Sequence, residues 1–392
     1  MAENGAVLYD PATRAERPLA DPPPERFVAR LRERGVAPLA VGRSIVATTE
    51  PHEVAVVETI HELGLELHVV FNKGAVMVLP SGVDKATGLA AALAELRLSP
   101  HNAVGIGDAE NDHAFLAACE CAAVVANALP AVKEHADLVT RRRSGAGVVE
   151  LVERLVDDDL ADIAPRLRRH RILLGTTADG RTVGLEPHGT VILVSGPSAS
   201  GTSTVATAVL ERVDEADRQF CLIDPAGDYD HPAFAQAVRL GDPGRVPTVE
   251  EVPRLLAEPG KDAVVSLVGV PLVDRPAYFA TLLPHLLDLR ARTGRPHWLV
   301  VNQAHHLFPA APGPPSPALP PDLGSLLLVT PHPRLVARAV LEAVDTLVAV
   351  GARPDETVAA FAAQTRRAPP IQLPRRLATG ELVFWRAAAG EP

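Results

Sequence analysis

The sequence predicts an α/β protein in which two strand–loop–helix series follow one another, and three observations carry that expectation. Short apolar runs alternate with helical patterns and tight turns over residues 102–140 and again over residues 190–386, the rhythm that assembles parallel, doubly wound sheets. In each series a turn bearing reactive side chains directly follows a buried strand: Gly107-Asp108 in the first, Gly196 to Thr204 in the second. No apolar run approaches the ~20 residues a membrane-spanning helix needs, so the chain is expected to be soluble, with no membrane partner.

Taken in order, residues 25–34 read as a helix, 36–49 as extended chain, 52–63 as a second helix and 65–72 as extended chain again. Residues 85–96 carry small residues and leucines at helical spacing. Residues 102–106 form a short buried strand that ends at Gly107-Asp108, with a helix after it. Two further strands follow at 121–125 and 138–140, and Pro130 seeds the helix between them. A charged amphipathic helix then runs from 148 to 171. Residues 172–185 form a hairpin turning at Asp179-Gly180. Residues 190–195 open the second series, interrupted by a proline-rich stretch at 309–321 that suits an extended loop. There is no internal repeat. The expected divisions are 1–75, 76–156, a linker helix and hairpin at 157–189, and 190–392.

Composition narrows the function. The net charge is -10, and the basic runs are confined to Arg141-Arg142-Arg143 and residues 166–171. A broad electropositive face for nucleic acid is therefore disfavoured, and both runs read as solvated surface. Aromatic residues make up only 4% of the chain, so its cores must be aliphatic. Three cysteines, Cys119, Cys121 and Cys221, make no disulfide framework and fit a reduced, cytoplasmic protein. Cys119 and Cys121 lack a second ligand pair, so packing is their expected role. The N-terminus lacks the basic start and apolar run of a signal peptide.

The first chemical constellation is Gly107-Asp108-Ala109-Glu110-Asn111-Asp112. Asp108 projects from the carboxyl end of a strand, where doubly wound sheets place their ligands, and clustered carboxylates there suit Mg²⁺. An acidic loop in which Asn111 or Asp112 caps the following helix has the same spacing, and spacing alone leaves both readings open.

Four blocks add a resemblance. Glu3-Asn4-Gly5-Ala6, Pro80-Ser81-Gly82-Val83-Asp84-Lys85, Gly107 to Asp112, and Ala126-Asn127-Ala128 occur in this order over residues 1–156. They resemble, in turn, the cap opening, the lysine block, the Mg²⁺-binding acidic motif and the segment after the next strand of type IIB (Cof-like) phosphatases of the haloacid-dehalogenase (HAD) superfamily. Asp84 stands where Asn is more usual. The resemblance implies an α/β cap at 1–75 and part of a HAD-like Rossmannoid core at 76–156. It implies that Lys85 is catalytic and balances charge on nucleophile and phosphoryl group. It also implies that Asp108 holds Mg²⁺, that Asn111 and Asp112 complete or orient the metal shell, and that the substrate is a small phosphorylated metabolite.

One departure is large. HAD phosphatases attack phosphorus with the first Asp of an Asp-x-Asp motif on their first strand. Asp10 follows the apolar run Ala6-Val7-Leu8-Tyr9, but residue 12 is alanine; Asp228-Tyr229-Asp230 lies in the other series. No residue can be nominated as nucleophile. An inactive phosphatase core is expected, incomplete, with about three strands and the 102–106 strand at its edge. An internal start, with Asp-x-Asp encoded upstream, is also expected.

The second constellation is Gly196-Pro197-Ser198-Ala199-Ser200-Gly201-Thr202-Ser203-Thr204, between an apolar strand and a helix. This is the setting of a phosphate-cradling P-loop, G-x-x-x-x-G-K-[ST]. Thr202 takes the lysine position, and Ser203 remains as a hydroxyl for Mg²⁺. Strand 298–301 is followed by Asn302-Gln303-Ala304-His305-His306, which resembles the Asp-Glu-Ala-His-His of HerA/FtsK-type ATPases. Asp224-Pro225-Ala226-Gly227-Asp228-Tyr229 and Thr330-Pro331-His332 fit the same family, over residues 172–386. By that resemblance 190–392 is a P-loop NTPase-like doubly wound domain. Gly196, Ser200, Gly201, Thr202, Ser203 and Thr204 would bind nucleotide or phosphate, and Asn302 and Gln303 form a degenerate acidic site. Without the lysine and both acids, ATP should bind only weakly and not be hydrolysed.

The function expected is thus a Mg²⁺-dependent HAD phosphohydrolase fused to a P-loop ATPase-like domain, inactive as it stands. The alternative is a non-catalytic, nucleotide- or phosphate-binding regulatory pseudoenzyme. A nucleotide-dependent motor is disfavoured by the acidic charge. The sequence leaves the oligomeric state open.

Overall fold

The computed structural model describes residues 1–164, 167, 170–229, 236–310, 319, 323–370, 372–374 and 376–387. The chain divides into two units, Met1–Arg166 and Leu167–Pro392.

The first unit opens on a one-turn 3-10 helix, Glu3–Gly5, and a hairpin of β1 (Val7–Asp10) and β2 (Ala15–Pro18). Next come α1 (Glu25–Glu33), β3 (Ala40–Val41), β4 (Val46–Thr49), α2 (Glu53–Leu63), β5 (Leu67–Asn72) and β6 (Ala75–Pro80). The last four strands form an antiparallel sheet ordered β3-β4-β6-β5. Strand alternation separates its faces. Val46, Val76 and Val78 pack with Phe27, Leu31, Val56 and Ile60 of the two helices, whereas Leu79 packs with Ala6, Ile45 and Val83.

Glu3 sets the β3–β4 turn, because its carboxylate accepts the backbone N–H groups of Arg43 (2.8 Å), Ser44 (2.8 Å) and Ile45 (3.3 Å). Gly5, at φ +96°, lies so close to the next helix that a Cβ there would stand 2.0 Å from the Asp84 carbonyl oxygen. That helix, α3 (Lys85–Leu96), begins with a reciprocal cap. Thr87 N–H donates to Asp84 Oδ1 (2.8 Å) and Asp84 N–H to Thr87 Oγ1 (2.9 Å).

Beyond it lie β7 (Val104–Gly107), α4 (His113–Ala118), β8 (Cys121–Val124), α5 (Pro130–Lys133), β9 (Leu138–Val139) and α6 (Ser144–Asp158). The three strands are parallel, in the order β7-β8-β9. Central β8 is buried throughout, while Val104 and Ile106 on edge strand β7 are only partly covered. The sequence places this strand at the edge of a three-stranded sheet, and the structure agrees.

The second unit begins with a hairpin, β10 (Ile172–Thr176) and β11 (Thr182–Leu185), that turns through Gly180 at φ +82°. The elements that follow are β12 (Val191–Ser195), α7 (Thr202–Glu215), β13 (Phe220–Asp224), β14 (Val238–Leu240), α8 (Glu251–Leu256), β15 (Ala263–Ser266) and α9 (Arg275–Thr293). They are succeeded by β16 (Trp298–Val301), β17 (Leu326–Thr330), α10 (Arg338–Glu342), β18 (Thr346–Ala349), α11 (Pro354–Thr365) and β19 (Val383–Arg386). Eight strands form one sheet, β14-β15-β13-β16-β17-β12-β18-β19, parallel except for β19. Its central strands are buried along their whole length, which is why they read as unbroken apolar runs. One face packs on α7 through Ala206, Val209 and Leu210; the other packs on α8, α9 and α11 through Leu256, Phe279 and Phe361.

Four sequence expectations need correction. Residues 36–49 are not one extended segment but two short strands joined by the Glu3-held turn. The division at 75/76 falls at the start of β6, which pairs with both β4 and β5 and so belongs to the N-terminal lobe. The helix expected from 148 to 171 spans Ser144–Asp158. It ends where Asp157, Asp158 and Asp159 put negative charge at a helix C-terminus, and Asp159 turns to φ +53°. The hairpin assigned to a linker is part of the second unit, since Ile172 and Leu185 are buried in its core. Residues 311–318 and 320–321 of the proline-rich stretch, and Asp230, lie outside the described residues. Among the described residues no helix is long and apolar enough to cross a membrane.

Two predictions follow from this packing. Gly88→Ala would ordinarily favour α3 by about 1 kcal/mol, but the added Cβ would stand 2.6 Å from the Gly5 Cα and carbonyl oxygen. Backbone cannot yield cheaply, so a net loss of about 1–3 kcal/mol is expected. Both tryptophans, Trp298 and Trp385, lie in the second unit. Calorimetry should therefore show an earlier transition that tryptophan fluorescence misses; an unshifted thermogram would contradict the tight contact.

The second concerns Asp262, whose carboxylate accepts the Phe220 N–H at 2.8 Å. Burial, followed by the charge of and hydrogen bond with Asp214, outweighs that bond and raises its pKa to about 6. A raised folded-state pKa gives stability that is full below the unfolded value and is lost as pH climbs through about 6. Asp262→Asn keeps the acceptor without the charge. It should stabilise the second unit by about 1–3 kcal/mol at pH 7 and flatten its dependence between pH 4 and 7. Urea unfolding followed by tryptophan fluorescence measures this, and an unchanged pH profile would rule it out.

Candidate functional site

In the first unit the site forms at the carboxyl end of β7. Asp112 is almost wholly buried (4% exposed) and folds back against the strand end. Its Oδ2 accepts the N–H groups of Asp108 (2.8 Å) and Ala109 (3.0 Å), and Lys85 Nζ donates to its Oδ1 at 2.5 Å. Gly107 makes room for this, because a Cβ there would lie 2.7 Å from the Asp112 carboxyl carbon. Burial is the largest influence on Asp112 and opposes its charge. The Lys85 hydrogen bond, the two amides and the Lys85 charge together prevail and hold its pKa below the usual value.

Asp108 points away from this bracket with its carboxylate about one-third exposed (35%), and it accepts a hydrogen bond from Lys73 Nζ. Asn111 faces elsewhere. Its Nδ2 donates to Asn4 Oδ1 at 2.8 Å, while its own Oδ1 is buried without a partner. Asn4, in the left-handed region at φ +54°, thus ties the N-terminal turn to the loop after β7. Asn127 accepts hydrogen bonds from Ser144 N–H (2.7 Å) and Oγ (3.3 Å), and so holds the start of α6.

Lys85, Asp108 and Asp112, singled out from sequence, are therefore brought together. Both oxygens of Asp112 are engaged, however, so it positions Lys85 and the Asp108 backbone, whereas Asp108 presents the accessible carboxylate. Asp112 makes no side-chain cap to the helix that follows it; its carboxylate turns back onto the amides of Asp108 and Ala109. Lys73 was missed. Its signal was Asn72-Lys73-Gly74 between the apolar runs of β5 and β6, a hairpin turn; only the folded sheet brings it to Asp108.

In the second unit the loop between β12 and α7 carries Gly196 to Gly201. Gly201 sits at φ +98° and Ala199 at φ +62°, and a Cβ on Gly196 would lie 2.3 Å from the Val350 carbonyl oxygen. The helix starts at Thr202, which is buried, and Ser203 and Thr204 occupy its first turn. Buried hydroxyls of Ser195 and Ser200 have no partner. A cavity of about 410 Å³ beside the loop is lined by Ser195, Gly196, Pro197, His332, Arg334 and Glu356.

Asp224, fully buried at the end of β13, accepts the N–H groups of Gly227 (3.1 Å), Asp228 (3.2 Å) and Tyr229 (3.0 Å). Asn302 Nδ2 donates to Asp224 Oδ1 (3.2 Å) and Asp228 Oδ2 (2.9 Å), and Gln303 Nε2 to Asp228 Oδ2 (3.2 Å). The two amides thus act as donors to two acids. His305 bonds Thr330 Oγ1 (2.9 Å); burial, then the charges of His306 and His332, lower its pKa to about 4, so it is neutral at pH 7.

Comparison with known proteins places the first unit. Residues 41–152 match the family model described as haloacid dehalogenase-like hydrolase. Phosphoglycolate phosphatase 2 of Saccharolobus solfataricus is 39% identical over 85 residues, covering 22% of this chain and 36% of that protein. The chain thus spans about a third of that relative's length. The phosphoglycolate phosphatase of Methanothermobacter thermautotrophicus is 30% identical over 168 residues, covering 40% of this chain and 72% of that protein. Among solved structures, a haloacid dehalogenase-like hydrolase from Bacteroides thetaiotaomicron aligns with TM-score 0.33 and 18% identity, over 39% of this chain and 74% of that one. With the Lys85–Asp112 bracket and Asp108 at the end of β7, and a relative matched over most of its length, the chain belongs to the haloacid dehalogenase-like hydrolases.

Proposed function

We propose that the first unit binds Mg²⁺ and a small phosphate ester at the end of β7, as the metal- and lysine-bearing part of a phosphohydrolase site. The observation that carries this reading is the adjacent pair of carboxylates, one fixed on Lys85 and one accessible. The donor set fits Mg²⁺, which commonly takes one or two carboxylates and completes its shell with water and phosphate oxygens. Asp108 would hold the ion, Asp112 would orient the strand end, and Asn111 would brace the loop from behind. When bound, Mg²⁺ would neutralise charge on the phosphoryl oxygens; Lys85 would do the same from the opposite acid. The relatives are named for phosphoglycolate, which supports a small phosphorylated acid as the ligand class. No carboxylate suited to attack phosphorus is found at this site among the described residues, so the chain as it stands binds without turnover. Three buried cysteines suit a reducing, cytoplasmic setting.

The second unit, in this reading, is a P-loop NTPase-like domain fused to the first. Support comes from the glycine-shaped turn between β12 and α7, and from Asn302 and Gln303 at the end of β16, across β17 from that turn. Backbone N–H groups there can hold an anion. With Thr202 and two amides in place of lysine and acids, the domain binds ATP weakly and does not hydrolyse it. This favours, as the second reading, a regulatory phosphate- or nucleotide-binding role.

For the first unit, calorimetric titration should show Mg²⁺ binding by the intact chain, with an at least tenfold loss in Asp108→Asn, the effect of removing a charged ligand. Mg²⁺-dependent turnover of p-nitrophenyl phosphate that disappears in Asp108→Asn would overturn the inactivity. For the second unit, Thr202→Lys, Asn302→Asp and Gln303→Glu together should recover Mg²⁺-ATP binding. The same triple variant should lose stability without Mg²⁺, because two new carboxylates would face Asp224 and Asp228 in place of their donors. Micromolar Mg²⁺-ATP binding by the unmodified chain would defeat this reading of the loop.

A further inference from the structure

We propose that Lys73 is the specificity-determining residue of the first unit, reading a second anionic group, a carboxylate, on the phosphate ester held at Asp108 and Lys85. The inference rests on the metal and phosphate-ester reading of that site. Lys73 and Gly74 are the two loop residues of the β5–β6 hairpin, whose register pairs Asn72 with Ala75. Both have positive φ, +48° and +85°, the type I′ geometry that joins strands with little play. The lysine is therefore presented from a defined point of the N-terminal lobe.

That point lies over the end of β7, because Lys73 Nζ donates to Asp108 Oδ2. The charges around it decide its role. Lys85 is committed to Asp112, whose other oxygen is taken by two amides. Lys73, by contrast, is half exposed (50%) and paired with the accessible carboxylate. With Asp108 engaged by a divalent cation, Lys73 would lose its partner and remain a cation at the mouth of the site. A ligand carboxylate would restore the pairing that Asp108 gave up. An ester with an uncharged tail would leave it unmet. The N-terminal lobe thus selects for an acid at the end of the ester remote from phosphorus.

The test uses the full chain in saturating Mg²⁺, titrated with phosphoglycolate and with ethyl phosphate. Lys73→Asn removes the charge while keeping a residue suited to positive φ; Lys73→Arg keeps the charge. The unmodified chain and Lys73→Arg should bind phosphoglycolate about ten- to a hundredfold more tightly than ethyl phosphate, the effect of one charge-assisted contact. Lys73→Asn should abolish the preference, with a loss for phosphoglycolate about tenfold or more beyond any change for ethyl phosphate. A preference that survives in Lys73→Asn, or an equal loss for both esters, would overturn the inference. Equal binding of the two esters by the unmodified chain would overturn it while the site reading stands. Failure of both esters to bind in Mg²⁺ would overturn the site reading and the inference with it.

Discussion

A carboxylate that gathers the backbone amides of a neighbouring turn is the interaction on which both units rest. Where a strand runs into a helix or a tight turn, consecutive N–H groups lose their regular partners and must be met some other way. Glu3 meets those of residues 43–45, Asp112 those of 108 and 109, and Asp224 those of 227–229. Two of these acids sit at a glycine-dependent approach, Glu3 against Gly42 and Asp112 against Gly107. Several of the acids behind the net charge of -10 are thus structural anchors, and their abundance is no sign of a cation-binding surface.

This also explains what could be read from the sequence. Strands 121–125, 190–195 and 298–301 were legible because burial on both faces leaves continuous apolar runs, and α3 because its small residues and leucines recur at helical spacing. The Asp108–Asp112 pair was legible as a site but not as a division of labour. Both acids occur in a five-residue window, and only the fold shows which one has its oxygens filled. Lys73 could not be found at all by spacing, since it lies 35 positions from Asp108 and its relevance depends on hairpin register. The helix boundary at Asp158 was misjudged for a simpler reason. The apolar periodicity continues past an acidic run that the helix dipole does not tolerate at its end.

Resemblance and geometry also divide the chain differently. The family blocks mark where segments begin, not which sheet they join, so a boundary at 75/76 severed β6 from its two partners. The N-terminal lobe and the short parallel sheet are joined through backbone contact at Gly5 and Gly88 and through the Asn4–Asn111 bond. Glu3-Asn4-Gly5 is therefore a positioning element: one residue holds a turn of the lobe, the next braces the loop after β7, and the third lets α3 approach.

The two candidate sites neutralise themselves in opposite ways. In the first, each acid has its own lysine, Lys73 for Asp108 and Lys85 for Asp112, so a metal bound as proposed at Asp108 would have to displace a built-in cation. In the second, Asp224 and Asp228 are met by neutral amides from Asn302 and Gln303. Acids at 302 and 303 would gather four carboxylates at the carboxyl ends of the neighbouring strands β13 and β16 and call for a cation among them. A lysine at 202 would in turn need the phosphate those cations help to hold. Thr202, buried at the start of α7, needs neither. Under the P-loop reading proposed above, a lysine at 202 and acids at 302 and 303 would each add a charge that only a bound nucleotide and its metal balance, whereas Thr202, Asn302 and Gln303 leave the second unit balanced without them.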